Sequence, residues 1–413
     1  MAHSTDKPGQ WPRARSARYW ESLAASVGTP FYAYDRRVLA QQARVLREAF
    51  FGTELRYAMK ANANPALLRA VADEKIGIDA VSAWEARLAH ANGHRRSRIL
   101  YTGNFPSDDE LRAIASRGIV ANLDALSAID RYGKIAKGSK IAIRVDLERG
   151  AGHHPHVVTA GVDSKFGLAR EDLPAALEIV RKRGLRLVGL HQHIGSGLCT
   201  DAHREVWLEA ADALFDLAIS TEKSHGILDF IDVGGGFGVA YPDDAHDPDL
   251  AQWGRSLSEA FVRRWPSKDR RPRLLIEPGR SLVAACGALI TRVTTIKPAR
   301  DRVWVGVDAG MHTLVRPAMY GSYHPIWPVR ERKSKPTECW IVGPICESGD
   351  VLAERRGMPL PREGDLLVIG MVGAYGYAMA STYNLRPKPA ELLIDGDRWE
   401  QVTRASRYAE VCG

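Results

Sequence analysis

Short apolar runs recur along the first two-thirds of the chain, and stretches with helical spacing separate them. Segments 55–59, 78–81, 99–102, 120–123, 140–145, 187–191, 230–233 and 274–277 read as strands. Amphipathic patterns lie between most of them, for example 37–50, 65–74, 83–92, 108–117, 173–183 and 201–223, and these read as helices. Eight strands alternating with helices predict an α/β fold, a (β/α)8 barrel. A doubly wound sheet is the alternative, but its phosphate-binding glycines usually follow the first strand. Here the glycine-rich turn comes late. After Arg280 the pattern changes to short β-rich runs at 303–307, 339–342 and 366–369 with Pro and Gly between them, which predicts a β domain of sandwich or barrel-like form. The expected division is 1–34 as an arm and a strand added to the β domain, 35–280 as the barrel, and 281–413 as the C-terminal β domain.

A length of 413 residues agrees with two domains. The composition, 45% hydrophobic and 26% charged, is that of an ordinary globular protein. The net charge of +8 is scattered in short clusters such as Arg95-Arg96 and Arg263-Arg264. No aromatic residues interleave with them, so no nucleic-acid partner is expected. The five cysteines form no CxxC pair, and their odd number argues against a disulfide framework. A reducing cytoplasm fits that usage. Segment 1–18 is polar, without the apolar core of a secretory signal, and reads as a partly disordered arm. No apolar run is long enough to span a bilayer, so no membrane partner is expected.

Four segments carry chemistry. Lys60 ends the first barrel strand in Tyr57-Ala58-Met59-Lys60-Ala61-Asn62, on the face where such barrels keep their active sites. A buried amine there has a lowered pKa and serves as a nucleophile, although a strand-end lysine is also a common solvated charge. Gly234-Gly235-Gly236-Phe237-Gly238 follows the seventh strand, where consecutive amides can approach an anion. Glu277-Pro278-Gly279-Arg280 ends the eighth, placing a carboxylate beside that turn. The bland alternative is a Glu–Arg salt bridge closing the barrel. His191-Gln192-His193-Ile194-Gly195-Ser196-Gly197 ends the sixth. A zinc site on His191 and His193 is disfavoured because no carboxylate or thiolate stands at ligand spacing, so no metal is expected. The histidine-rich stretch 153–156 reads as a solvent-facing or lid loop. An amine, a phosphate nest and a carboxylate for a ring nitrogen are together what pyridoxal phosphate needs.

At this point the chain resembles the fold type III pyridoxal-phosphate decarboxylases of the alanine racemase/ornithine decarboxylase superfamily, most closely the diaminopimelate decarboxylase branch. The resemblance runs from Thr29 to Asp395 and rests on YAMKAN, YTGNFPSDDEL, DSKFGL, HQHIGSG, DVGGGFG, EPGR, DAGMHTLVRPAMYGSYHPI, CESGD and GAYGYAMASTYNLRPKP. It implies that Lys60 forms the Schiff base and that Asp79 lies near the cofactor. It places His193 over the ring face, Ser196, Gly235, Gly236, Gly279 and Tyr375 at the phosphate, and Glu277 at the ring nitrogen. For the substrate it implies Arg280, Arg316 and Tyr320 at the distal carboxylate, with Tyr375 adjoining. Glu347 would recognise the distal ammonium and Cys346 would act near the scissile group. In the family these two come from the partner subunit, which implies a homodimer with shared active sites.

The activity implied is decarboxylation of meso-diaminopimelate to L-lysine, in the cytoplasm. Gly197 stands where the branch usually has Gln, and the same glycine occurs among the ornithine decarboxylases. The rival readings are a paralogous decarboxylase of another carboxylated amino acid, as in siderophore or antibiotic assembly, and an amino-acid racemase. A non-catalytic pyridoxal-phosphate carrier would be a single barrel.

Overall fold

The structure, a computed structural model, describes residues 11–152, 154, 158–161, 164–242, 246–330 and 332–412. Of the histidine-rich loop only His154 falls among these, and the first ten residues of the expected arm lie outside them.

The chain forms two compact units. One comprises Ala43–Ala240 and His246–Leu282, the other Met1–Gln42, Tyr241–Ala245 and Val283–Gly413. Strand β1 (Phe31–Asp35) belongs to the second unit. The first holds β2 (Glu54–Ala58), β3 (Gly77–Ala80), β4 (Ile99–Tyr101), β5 (Val120–Leu123), β6 (Lys140–Asp146), β7 (Leu168–Ala169), β8 (Arg186–His191), β9 (Phe230–Gly235) and β10 (Arg273–Glu277). All pair in parallel. The order β5-β4-β3-β2-β10-β9-β8-β6 closes through a β5–β6 ladder into an eight-stranded barrel, with β7 paired to the end of β6. The predicted fold is therefore present.

The strands are apolar on both faces because helices cover them outside and side chains fill them within. Leu100, Ala142, Val188, Phe230 and Leu275, from β4, β6, β8, β9 and β10, form one buried apolar cluster. Short polar residues start the helices that follow. Ser82 and Ser107 accept the amides of Glu85 and Glu110 at 3.1 and 3.2 Å, relieving donors the helices cannot satisfy themselves.

The second unit is a mixed sheet. It contains β11 (Gly287–Ala299), β12 (Arg302–Val307), β13 (Ile326–Pro328), β14 (Pro336–Val342), β15 (Val351–Pro359), β16 (Leu366–Gly370), β17 (Ala390–Asp395) and β18 (Arg398–Thr403). Its central path runs β15-β14-β12-β11-β1-β17-β18, and β16 joins β11 to β13. β1 pairs antiparallel with β11 and parallel with β17. Phe31, Ala33, Ile290, Val368, Leu392 and Ile394 pack there against Trp20 and Leu23 of the helix Ala17–Val27. Among the described residues no helix is long and apolar enough to cross a membrane.

Candidate active site

Polar side chains that a barrel core would normally exclude are buried on its strands. Asp79 lies on β3, Asn122 on β5, Arg144 on β6, His191 on β8, Asp232 on β9 and Glu277 on β10. Buried charge is tolerated only where partners or protonation offset lost hydration, so this layer marks the site.

Lys60 is held by local geometry. β2 ends at Ala58, and Met59–Ala61 form one tight turn closed by the Asn62 amide on the Met59 carbonyl at 3.0 Å. Tyr57 Oη donates to the Asn62 carbonyl at 2.9 Å. Asn62 accepts the Asn64 amide, and Asn64 caps the helix Pro65–Asp73. The run Asn-Ala-Asn-Pro thus stops the strand and starts the helix, leaving Lys60 at the barrel mouth. The ammonium stands 3.8 Å from Asp79 Oδ2. Its side chain is 37% exposed, so the buried amine expected from the sequence is corrected: the turn carries Lys60 past the packed layers.

Asp79, Asp232 and Glu277 do not ionise alike. Burial pushes Asp79 up to about 7, the Glu277 charge pushes the same way, and Lys60 pulls it back. Burial and then Glu277 push Asp232 well above the carboxylate range. Burial also works against ionisation of Glu277, but the His191 hydrogen bond and the Lys60 charge outweigh it and hold its carboxyl below the usual range. Close carboxylates cannot all ionise, and Glu277 carries the charge. His191 Nε2 lies 3.2 Å from Glu277 Oε2. A carboxylate only accepts, so Nε2 bears the hydrogen. Burial, the largest influence on His191, keeps the ring neutral against the pull of Glu277.

The zinc argument from the sequence needs correction here. The barrel register brings His191, Asp232 and Glu277 together, with ligand-type atoms within 4.8 Å of one another. Two carboxylates therefore do stand near His191. The His191–Glu277 hydrogen bond and a protonated Asp232 account for the cluster's charge without a cation.

Glycines shape the neighbouring wall. β9 pairs with β10 so that Gly235 opposes Glu277, and a Cβ at 235 would lie 2.0 Å from the Glu277 carbonyl oxygen. Gly236 has φ +99°, which side chains rarely adopt, and a Cβ there would meet the Gly195 carbonyl at 2.5 Å. The Gly235 amide donates to His193 Nδ1 at 3.1 Å. Its observed role is to hold that ring rather than to point outward. Burial first, then Lys60 and Arg144, keep His193 neutral. Arg280 Nη2 donates to Ser196 Oγ at 3.2 Å beside this wall.

The residues fit pyridoxal phosphate. Glu277 Oε1 is buried without a hydrogen-bond partner, so an acceptor is available for a ring N–H. Lys60 supplies the amine, and the glycine wall with Ser196 and Arg280 supplies a cradle no larger residue would leave.

The remaining candidates lie in the other unit. Arg316 and Tyr320 begin and end the five-residue helix Arg316–Tyr320. Cys346 and Glu347 are exposed. The Cys346 amide and thiol face Asn384 Oδ1 at 3.1 and 3.3 Å, and Tyr383 Oη donates to Glu347 Oε1 at 2.5 Å. Tyr375 has φ +58°, an unusual conformation for a bulky residue and the kind that functional sites retain. Sequence reasoning passed over Asp232, Arg144, Asn384 and His324. For Asp232 and Arg144 a signal existed: each is a charge inside an otherwise apolar barrel strand.

A family model described as the pyridoxal binding domain of the pyridoxal-dependent decarboxylases matches residues 36–284. A diaminopimelate decarboxylase of Methanothermobacter thermautotrophicus is 38% identical over 397 residues, covering 94% of this chain and 92% of that protein. One from Archaeoglobus fulgidus is 36% identical, covering 94% and 93%. The solved diaminopimelate decarboxylase of Helicobacter pylori, complexed with L-lysine, aligns with TM-score 0.87 at 32% identity over 95% of this chain and 98% of that one.

Proposed function

The chain belongs to the pyridoxal-dependent decarboxylases, in the diaminopimelate decarboxylase family, and on that premise we propose that it converts meso-diaminopimelate to L-lysine and carbon dioxide. The observation that carries the reading is the anionic Glu277 with one bonded and one open oxygen, on the same barrel face as Lys60. The cofactor is pyridoxal phosphate, which when bound supplies an electron sink for the charge left on carbon as carbon dioxide departs.

Each side chain then has a task. Lys60 anchors the cofactor through its amine, and Asp79 at 3.8 Å holds or returns the proton that amine exchanges. Glu277 would keep the ring nitrogen protonated through Oε1, while His191 holds the other oxygen. His193, its orientation fixed by the Gly235 amide, would lie against the ring. Ser196, Gly236, Gly279, Arg280 and Tyr375 bind the phosphate. Arg316 and Tyr320 hold the distal carboxylate, a pairing that suits planar anion recognition, and Arg280 contributes charge to the same end.

Glu347 of the partner subunit binds the distal ammonium. Cys346 of the partner subunit delivers the proton that replaces the lost carboxylate. The working form is a cytoplasmic homodimer with two shared sites. Fixing the distal centre by both its charges selects which carboxylate leaves. A site built on buried polar partners rejects substrates lacking them.

The test is turnover. Loaded enzyme is incubated with meso-diaminopimelate, L-ornithine, L-arginine and D-lysine, and carbon dioxide and amines are measured. L-lysine from meso-diaminopimelate alone is expected. Arg316→Ala should raise KM by about 100-fold or more, the worth of a charge-assisted bidentate contact. Carbon dioxide from another substrate assigns the chain to a paralogous decarboxylase. A D,L product without carbon dioxide assigns it to a racemase.

A further inference from the structure

We infer that His324 is a positioning residue that sets substrate selectivity, because it holds the Arg316 guanidinium in place without neutralising it. The inference rests on the reading of Arg316 as the anchor of the distal carboxylate. Both residues lie in the same unit and are buried, Arg316 at 1% exposure and His324 at 0%.

The ring's hydrogen-bonding state follows from its partners. His324 Nδ1 lies 3.0 Å from the Gly370 carbonyl, which can only accept, so Nδ1 carries the hydrogen. His324 Nε2 lies 2.8 Å from Arg316 Nη1, which can only donate, so Nε2 presents its lone pair. The imidazole is therefore a neutral strut between the arginine and the backbone of β16. That backbone is rigid, because β16 pairs with both β11 and β13.

Other contacts fix the same geometry. Arg316 Nη2 donates to Ser322 Oγ at 3.2 Å. The guanidinium lies 4.9 Å over the Tyr241 ring, whose edge meets His324 with centroids 5.2 Å apart. Arg356 Nη2 donates to the His324 carbonyl at 3.2 Å.

The choice of residue at 324 has a consequence. A carboxylate there would bind Arg316 more strongly, but it would cancel the charge and compete with an incoming anion. A neutral acceptor orients the fork without placing a negative charge of its own beside it. The ligand class this favours is an amino acid with a carboxylate remote from the reacting amine.

Two substitutions separate the functions of the ring. His324→Asn keeps a donor near Gly370 and removes the acceptor facing Arg316. His324→Gln can place its carbonyl oxygen where Nε2 stands. Calorimetry on the loaded enzyme compares L-lysine with 1,5-diaminopentane, which differ only by the carboxylate. His324→Asn is expected to weaken L-lysine about 10- to 100-fold and to leave 1,5-diaminopentane within about 2-fold, as for loss of one charge-assisted contact. KM for meso-diaminopimelate should rise in parallel, with kcat changed only a few-fold. His324→Gln should recover most of the L-lysine affinity.

Wild-type L-lysine affinity in His324→Asn, with affinity lost in Arg316→Ala, would overturn the role of His324 and leave that of Arg316. Unchanged affinity in both variants would overturn both. Equal weakening of the two ligands would reduce His324 to a packing residue and also overturn the proposal. Should the Asn variant not fold, His324→Gln decides alone: it must keep the wild-type preference for L-lysine over 1,5-diaminopentane.

Discussion

Replacing Asp79 by Asn should stabilise the cofactor-free protein at neutral pH while impairing its activity. Asp79 is 1% exposed, stands 3.8 Å from the Lys60 ammonium and feels the Glu277 charge. Burial and Glu277 raise its pKa from 3.8 to about 7 in the folded state, so the fold favours the protonated form. Between those values the folded protein binds a proton that the unfolded chain has released. Stability is then complete below about pH 4 and falls as pH rises to about 7. At 1.36 kcal/mol per pH unit the loss reaches about 4 kcal/mol above pH 7, and no discount for solvent is due at a site this buried. An amide of the same shape escapes that loss. Urea unfolding of cofactor-free wild type and Asp79→Asn across pH 5 to 8.5 should show the variant's advantage growing by about 2–3 kcal/mol over that range. Curves that run parallel, or a variant less stable than wild type at pH 8, would refute the assignment of the charge to Glu277 and the proton to Asp79. On the proposed reading Asp79 works beside Lys60, so the variant's kcat should fall at least about tenfold.

Two further outcomes follow from geometry. Gly235→Ala places a methyl 2.0 Å from the Glu277 carbonyl oxygen, where backbone and not a flexible side chain must yield. It should weaken pyridoxal phosphate binding by about 100-fold or more in fluorescence titration, and wild-type affinity would contradict the close β9–β10 approach. If Cys346 and Lys60 of one site come from different subunits, Lys60→Ala and Cys346→Ala are each inactive alone. Co-expressed with different tags and mixed freely, they should give about a quarter of wild-type activity through one intact site per mixed dimer. No recovery in the purified mixed dimer would place both residues on one chain.

How much of this was legible in the sequence depends on how local each feature is. The barrel strands and the positions of Lys60, Gly236 and Glu277 were readable, because strand ends, glycine turns and a Pro-stopped segment are set by neighbours in the chain. The exposure of Lys60 was not, since it depends on one turn, Met59–Ala61, that moves the side chain beyond the core. Nor was the partnership of His191 with Glu277 and Asp232, which lie on three strands and meet only through barrel register. Asp232 inside Phe230–Gly235 and Arg144 inside Lys140–Asp146 did announce themselves as charges in apolar strands. What periodicity could not supply was which of several buried acids keeps its proton. That depends on the competition of desolvation, Glu277 and Lys60 within a few ångströms.

Three imidazoles answer a common physical difficulty. A buried charge needs a hydrogen-bond partner to hold its direction, yet an oppositely charged partner would spend the field the reaction requires. A neutral imidazole meets both conditions. His191 donates to Glu277 and leaves the carboxylate its charge and one open oxygen. His193 accepts the Gly235 amide and so is fixed in orientation. His324 accepts from Arg316 while donating to the backbone, and the guanidinium stays cationic. Burial keeps His191 and His193 from protonating, and the two fixed partners of His324 leave no place for a second ring proton. On the proposed assignments of Glu277 and Arg316, each charge thereby keeps its direction without an opposite charge from the imidazole beside it, which is the condition for electrostatic preorganisation in a low-dielectric site.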